Sequence, residues 1–546
     1  MERHGQGGFM PGSQVYAGLN KAWAGTCRVL FGEELGELSE YADWLKTDTY
    51  ALPKHKSSIS GKDVFYAEKD YCNGAKWVSL DEVRFGKGFE PLGINQVKDL
   101  DSIVEALQER MFYSGNIVLG KSRFVENSSN IIDSSHILES AIISDSKHVA
   151  FSDTIRGSEN LFGVPGAAYS SYIVKGAMHT QGKRCFESHF NFSSSDCYYT
   201  TKLRNCRECF FSFGMENKSY AIGNAQLPRD RYLGIKGKLL SEMADTLKKE
   251  KKIFSLLDII AGSEKYGGAE PPAGSSRAKE KFDKSAIQQA FSNTSEVVLK
   301  RDLGEIDDYA GFLEKHLQKS IFLKSPLSGK RVGVLSFALQ WFDKYDIKKR
   351  ILTEDEIRYV GGLDVGKKIE DIGIDPEKLS SALSGIAYTT FDIFEGNNVN
   401  NSECTELINA ENCYRGSAYV HSKKCAFCFW PRQSEHMFGS SNAWDSAFCI
   451  NAHYSKKLTR AFEADSCESC ADAYFLHNCE NVNDGMFCFN AKSLRHAIGN
   501  AEVGREKYLA IKEKLLAEIA DEIEAKKDLR WNIYNVGCPK PPPLKN

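Results

Sequence analysis

Ser134-Ser135-His136-Ile137-Leu138-Glu139-Ser140-Ala141-Ile142-Ile143-Ser144-Asp145-Ser146-Lys147-His148-Val149 repeats a serine every six residues and sets an aliphatic residue midway between each pair. The pattern continues through Ser152, Ile155, Ser158 and Leu161, so one residue in three, alternately small and aliphatic, shares a common environment. An α-helix cannot hold that phase, because at 100° per residue a three-residue stripe drifts by about 60° at each step. A plain strand alternates its faces with period two. A chain that turns a corner every few residues and stacks its turns does fit, and small residues and thiols suit the crowded interior of such a solenoid. Turns of 12 and of 18 residues fit equally well.

The cysteines obey the same phase. Thirteen of the 16 fall between Cys185 and Cys488, and the number of each leaves remainder two on division by three, as do those of Ser134 and Ile137. Chance placement would do this roughly once in half a million trials, so these thiols are expected to point inward with Ile143 and Cys470, while Lys147 and Glu468 point outward.

The pattern occurs twice. Ser158-Glu159-Asn160-Leu161-Phe162-Gly163 is answered by Ser434-Glu435-His436-Met437-Phe438-Gly439, and Ala221-Ile222-Gly223-Asn224-Ala225 by Ala497-Ile498-Gly499-Asn500-Ala501, both 276 residues on. Upstream, Leu35-Gly36-Glu37-Leu38 and Ser60-Gly61-Lys62 are answered by Leu303-Gly304-Glu305-Ile306 and Ser328-Gly329-Lys330 at an offset of 268. The fold class expected is therefore α+β, a tandem duplication in which each half is a parallel β-solenoid with inward residues at every third position, capped by amphipathic helices. The chain divides into an arm (1–14), an α/β module (15–121), solenoid 1 (122–227), capping helix 1 (228–261) and a Gly/Pro/Ser-rich linker (262–283). A second module (284–397), solenoid 2 (398–503), capping helix 2 (504–530) and a tail (531–546) follow.

Solenoid ends expose unpaired backbone and need covers. Tyr232, Ile235, Leu239, Met243 and Leu247, and likewise Tyr508, Ile511, Leu515, Ile519 and Ile523, recur at helical spacing and supply one apolar face each. Leu100 to Phe112 is expected to cover the other end of the first solenoid. Phe210, Phe211 and Phe213, with Met486, Phe487 and Phe489, are expected beneath the caps.

Composition narrows function by exclusion. With 70 basic and 73 acidic residues the net charge is −3, which provides no field for steering toward nucleic acid or an anionic membrane. Neither a secretory core nor an apolar run of about 20 residues occurs, so the expectation is a cytoplasmic protein with reduced thiols and no membrane partner.

Cys206-Arg207-Glu208-Cys209-Phe210-Phe211, followed by Asn217-Lys218-Ser219-Tyr220-Ala221-Ile222-Gly223-Asn224 and Tyr232, resembles a group of uncharacterised cysteine-rich repeat proteins of uncultured microbes and phages. The likeness covers the first solenoid and its capping helix, about a third of the chain. It implies architecture alone, since the group offers no activity to transfer, and Ser493-Leu494 departs from it where the first copy has Asn217-Lys218.

Candidate sites are few. Cys206 with Cys209, Cys425 with Cys428, and Cys467 with Cys470 have the spacing of zinc ligands, but solitary cysteines share their phase, so packing is the preferred reading and no metal or other cofactor is expected. Gly115-Asn116-Ile117-Val118-Leu119-Gly120-Lys121-Ser122 matches the phosphate-loop string, although a helix should follow and bulky residues fill the loop, so no nucleotide chemistry through Lys121 is expected. Asp445, Asp465, His453 and His477 are read as solvated surface groups, with His453 and His477 spaced to share a face. No catalytic residue is assigned. The leading expectation is a non-enzymatic structural protein that forms a homo-oligomer larger than a dimer or binds a large macromolecular partner. A polysaccharide-acting enzyme on a solenoid face is the alternative, and a zinc protein the weaker one.

Overall fold

The computed structural model describes residues 12–538 except 68–69, 86–87, 273–281, 319, 367–368 and 370–371. The expected arm before Gly12, the Pro539 to Pro543 tail and the Ala273 to Ser276 part of the linker lie outside the described residues. The remainder is mixed α/β, dominated by parallel strands in large sheets.

Two compact units interleave along the chain. The first comprises residues 1–52, 121–276 and 322–392; the second comprises 53–120, 277–321 and 393–546. Compactness therefore cuts the chain differently from the linear series of modules expected above: residues 53–120 group with the second set of strands and 322–392 with the first.

In unit 1, a ten-stranded sheet runs from the strand Arg123–Glu126 to Ala225–Gln226. The register of its parallel strands is a constant twelve residues, Val149 pairing with both Ile137 and Leu161. A second sheet through Ser129–Ile132, Ala141–Ser144 and Asp153–Arg156 keeps the same step. Twelve, not eighteen, is the spacing of neighbouring strands. The interior column then reads Ile137, Val149, Leu161, Ile173, Cys185, Cys197 and Cys209, all 0 % exposed.

The serines explain why the step is uniform. Ser146 N–H donates to Ser134 Oγ at 3.0 Å, the Ser146 hydroxyl donates to Ser144 O at 2.7 Å, and Ser158 N–H donates back to Ser146 Oγ at 3.1 Å. Each hydroxyl satisfies one buried amide and one buried carbonyl that the strands leave over, which is why a small hydroxylated residue recurs there.

The period of three has a backbone cause. The residue preceding each inward position adopts a left-handed conformation: His136 (φ 57°), Glu139 (44°), Ile142 (57°), Asp145 (53°) and His148 (56°) continue as a series through both units. For L-residues this region costs roughly 1–2 kcal/mol per position, and a β-branched residue such as Ile142 or Thr154 tolerates it poorly. Repetitive pairing and the packed interior must offset that cost.

Helices cover parts of this framework within each unit. Ser13 caps Gln14–Phe31 by accepting Tyr16 N–H at 3.1 Å; Trp23 of that helix packs edge-on against Phe162, and Tyr198 OH donates to Leu30 O at 2.8 Å. Arg229–Glu250 follows the terminal antiparallel strand and buries Tyr232 beside Phe210. Phe210, Phe211 and Phe213 are all 0 % exposed. In unit 2, Arg505–Lys526 does the same with Tyr508, Leu515, Ile519 and Ile523.

Three expectations require correction. The helix Leu100–Leu107 does not cover the start of the first strand stack: Leu100 N–H bonds Glu518 of the helix Arg505–Lys526 at 3.0 Å, and Leu107 packs on Gly499, so it closes the far end of the second. The start of the presumed linker, Gly262, ends a helix, Leu256–Ser263, whose apolar face buries Leu257 and Ile260. Cys72 and Cys538 form a disulfide, against the expectation of thiols throughout, while the other fourteen cysteines are free. Among the described residues no helix is long and apolar enough to cross a membrane.

Candidate functional site

The strands Thr459–Asp465 and Ala471–Glu480 of unit 2 bring His453, Asp465 and His477 into one column at twelve-residue steps. All three are 0 % exposed, which overturns their reading as solvated surface groups. Asp445 is half-buried and belongs to a different column. His477 Nδ1 meets Asp465 Oδ2 at 2.8 Å, and Tyr71 OH donates to the same oxygen at 2.7 Å. Ser114 N–H donates to His477 Nε2 at 2.8 Å, which places the imidazole proton on Nδ1, toward the carboxylate.

Serine, histidine and aspartate thus meet in space without forming a nucleophilic triad. A triad needs the histidine Nε2 free to take the hydroxyl proton. Here a backbone amide occupies Nε2, while the Ser114 hydroxyl bonds Asn490 instead. In the neighbouring layer Ser441 Oγ bonds His453 Nδ1 at 2.9 Å while His453 Nε2 is buried without a hydrogen-bond partner, and Glu463 accepts from Asn451 at 2.7 Å and from Ile533 N–H at 2.8 Å. Burial, with His316 nearby, holds His453 well below the usual imidazole range, and burial raises the Glu463 carboxyl.

Unit 1 carries a charged cluster of its own. Lys175, 1 % exposed, lies 2.8 Å from Asp48 and 3.2 Å from Glu187; its position 276 residues on is Asn451, and that of Glu187 is Glu463. Tyr345 OH donates to Asp48 at 2.9 Å and Leu256 N–H to Glu187 at 3.2 Å. Burial pushes Glu187 up to about 7; burial would raise Asp48 too, but Lys175 keeps it below the usual carboxylate range. One lysine is shared between two acids, and Asp48 holds the charge. A second cluster forms where Glu354 meets Lys202 at 2.9 Å and also pairs with Arg204.

A pH experiment follows. Because the folded Glu187 titrates near 7 against an ordinary 4.5, its contribution to stability is fully present below about 4.5 and lost as pH rises through about 7, about 3 kcal/mol in all. Relative to the wild type, Glu187→Gln is expected to gain melting temperature as pH rises from 4.5 to 7 and then level off. A difference that stays flat across that window would place the carboxyl at its ordinary value.

Cys209 and Cys428 lie in the strands Arg207–Phe210 and Ala426–Phe429, and Cys206, Cys425, Cys467 and Cys470 lie between strands; all six are buried with their thiols facing backbone carbonyls, as Cys467 Sγ does Asp465 O at 3.2 Å. Among the described residues no group of three or more His, Cys, Asp or Glu side chains is disposed to hold a metal. Gly115–Ser122 leads from the strand Tyr113–Gly115 toward the strand Arg123–Glu126, not into a helix.

A cleft of about 690 Å³ in unit 1 is lined by Glu242, Glu250, Asp258, Asp375, Lys252 and Phe254 among others. Three of its acids are engaged with backbone amides: Glu242 accepts from Ile374, Asp258 from Ser255 and Asp375 from Lys378.

Tyr71, Ser114, Asp48 and Lys175 were missed in the sequence. The twelve-residue spacing of His453, Asp465 and His477 is a usable signal once the register is known, whereas Asp48 and Tyr71 arrive from distant stretches with no local mark. No protein-family model, no curated protein and no solved structure matches the chain.

Proposed function

We propose that this chain is a non-enzymatic structural or assembly protein, a tandem duplication of two solenoid bodies whose regular surfaces serve self-association into a homo-oligomer larger than a dimer. The observation that carries the reading is the commitment of the polar groups around His477 and in the unit 1 cleft. The serine–histidine–aspartate grouping at His477 is buried and has its Nε2 occupied by an amide, and the acids of the unit 1 cleft are largely engaged with backbone amides. Catalysis needs groups free to exchange protons or bind substrate, whereas a scaffold spends such groups on its own rigidity. A cytoplasmic location belongs to this reading; fourteen free thiols support it and the Cys72–Cys538 bond counts against it.

Light scattering on the full chain, across concentration and salt, tests the proposal. The expected result is a particle of more than two chains. A species of single-chain mass under every condition removes self-association.

A further inference from the structure

Each large sheet is closed at its later end by a short antiparallel strand, Ala225–Gln226 in unit 1 and Ala501–Glu502 in unit 2. Among the described residues the opposite end of the unit 1 sheet has no such closure. Its terminal strand, Arg123–Glu126, pairs only with Ser135–Leu138 among the described strands of that sheet. Arg123 and Phe124 are exposed, and Phe124 keeps 37 % of its surface although its ring stacks on His136. The interior is open here as well: Val125 begins the column of Ile137, Val149 and Leu161, yet it is only half-buried where they are 0 % exposed. A strand edge with an apolar neighbour in water is a template for another strand.

The charges select the occupant. The strand begins with a base and ends with an acid three residues later, so an antiparallel pairing of two copies sets Arg123 of each against Glu126 of the other, twice over, about a two-fold axis. The corresponding strand of unit 2, Ser402-Glu403-Cys404, has one acid and no base, and Glu403 lies 3.6 Å from Arg415 of its own unit. Of these two terminal strands, only that of unit 1 is complementary to itself. The antiparallel strand Ala225–Gln226 shows that this kind of sheet accepts an antiparallel neighbour.

We propose that Arg123–Glu126 is a two-fold contact through which two copies of this chain join edge to edge. It rests on the self-association reading and names one of the surfaces that reading requires. Full-chain wild type, Arg123→Glu, Glu126→Arg and the double reversal are compared by sedimentation velocity, with thermal melts to confirm folding. Each single reversal is expected to halve the mass of the assembly, and the double reversal to restore it, since exchanging both charges recreates the pair. Singles that keep the wild-type mass, or a folded double variant that fails to regain it, overturn this contact and leave self-association standing through another surface. A wild type of single-chain mass overturns both.

Discussion

Aspartate in place of Ile143 is expected to unfold unit 1 at ordinary temperatures, whereas Lys147→Glu, four residues along, shifts the melt little. Ile143 is 0 % exposed and pairs in parallel with Ile131 and Ile155, so its side chain sits in a column of aliphatic neighbours above and below. A carboxylate there has no counter-charge and no water, a cost of several kcal/mol against a stability of about 5–15 kcal/mol for a typical domain. Lys147 is exposed on the outer side of its strand, and surface changes usually stay within about 0.5 kcal/mol. Cys470→Asp in unit 2, at 1 % exposure, should match Ile143→Asp. Glu468, expected above to point outward like Lys147, is 6 % exposed, so a charge change there is not expected to be mild. Melts showing equal tolerance at positions 143 and 147 would contradict the inward phase.

Lys175→Ala is expected to cost about 3–5 kcal/mol, because it leaves Asp48 and Glu187 buried without their shared cation. The corresponding change in unit 2, Asn451→Ala, removes one hydrogen bond to Glu463, which keeps Ile533 N–H, and should cost about 1–3 kcal/mol. Urea unfolding of the two variants side by side reads the difference. Equal losses would mean that the lysine acts through packing and not as a counter-ion. Lys175→Met separates these further: it keeps the volume and removes the charge, and should be nearly as damaging as alanine.

The polar interior was only partly legible. His453 and His477 were seen to share a spacing, but a spacing does not report burial, and polar residues on an outward phase read as solvated until something covers them. Tyr71, brought from 394 residues away, supplies that cover in unit 2 together with the buried Tyr113 and Tyr534. The left-handed series was recoverable in principle. Asn127, Asn130, Asp133, Asn160 and Asn205 all precede inward positions, and asparagine and aspartate are the residues most tolerant of positive φ.

By itself the sequence determined which residues face inward. Burial selects side-chain character at each position independently, so Ser, Ile, Leu and Cys record the phase of three without reference to their partners, just as Tyr232, Leu239, Met243 and Leu247 record a helix face. The tertiary structure decided which turns pair and which stretches belong together. A phase of three is preserved by strand spacings of twelve and of eighteen alike, and only hydrogen bonds such as that from Ser158 N–H to Ser146 Oγ select twelve. The grouping of residues 53–120 with the second strand stack and 322–392 with the first rests on long-range packing, and such contacts leave no local periodicity to read.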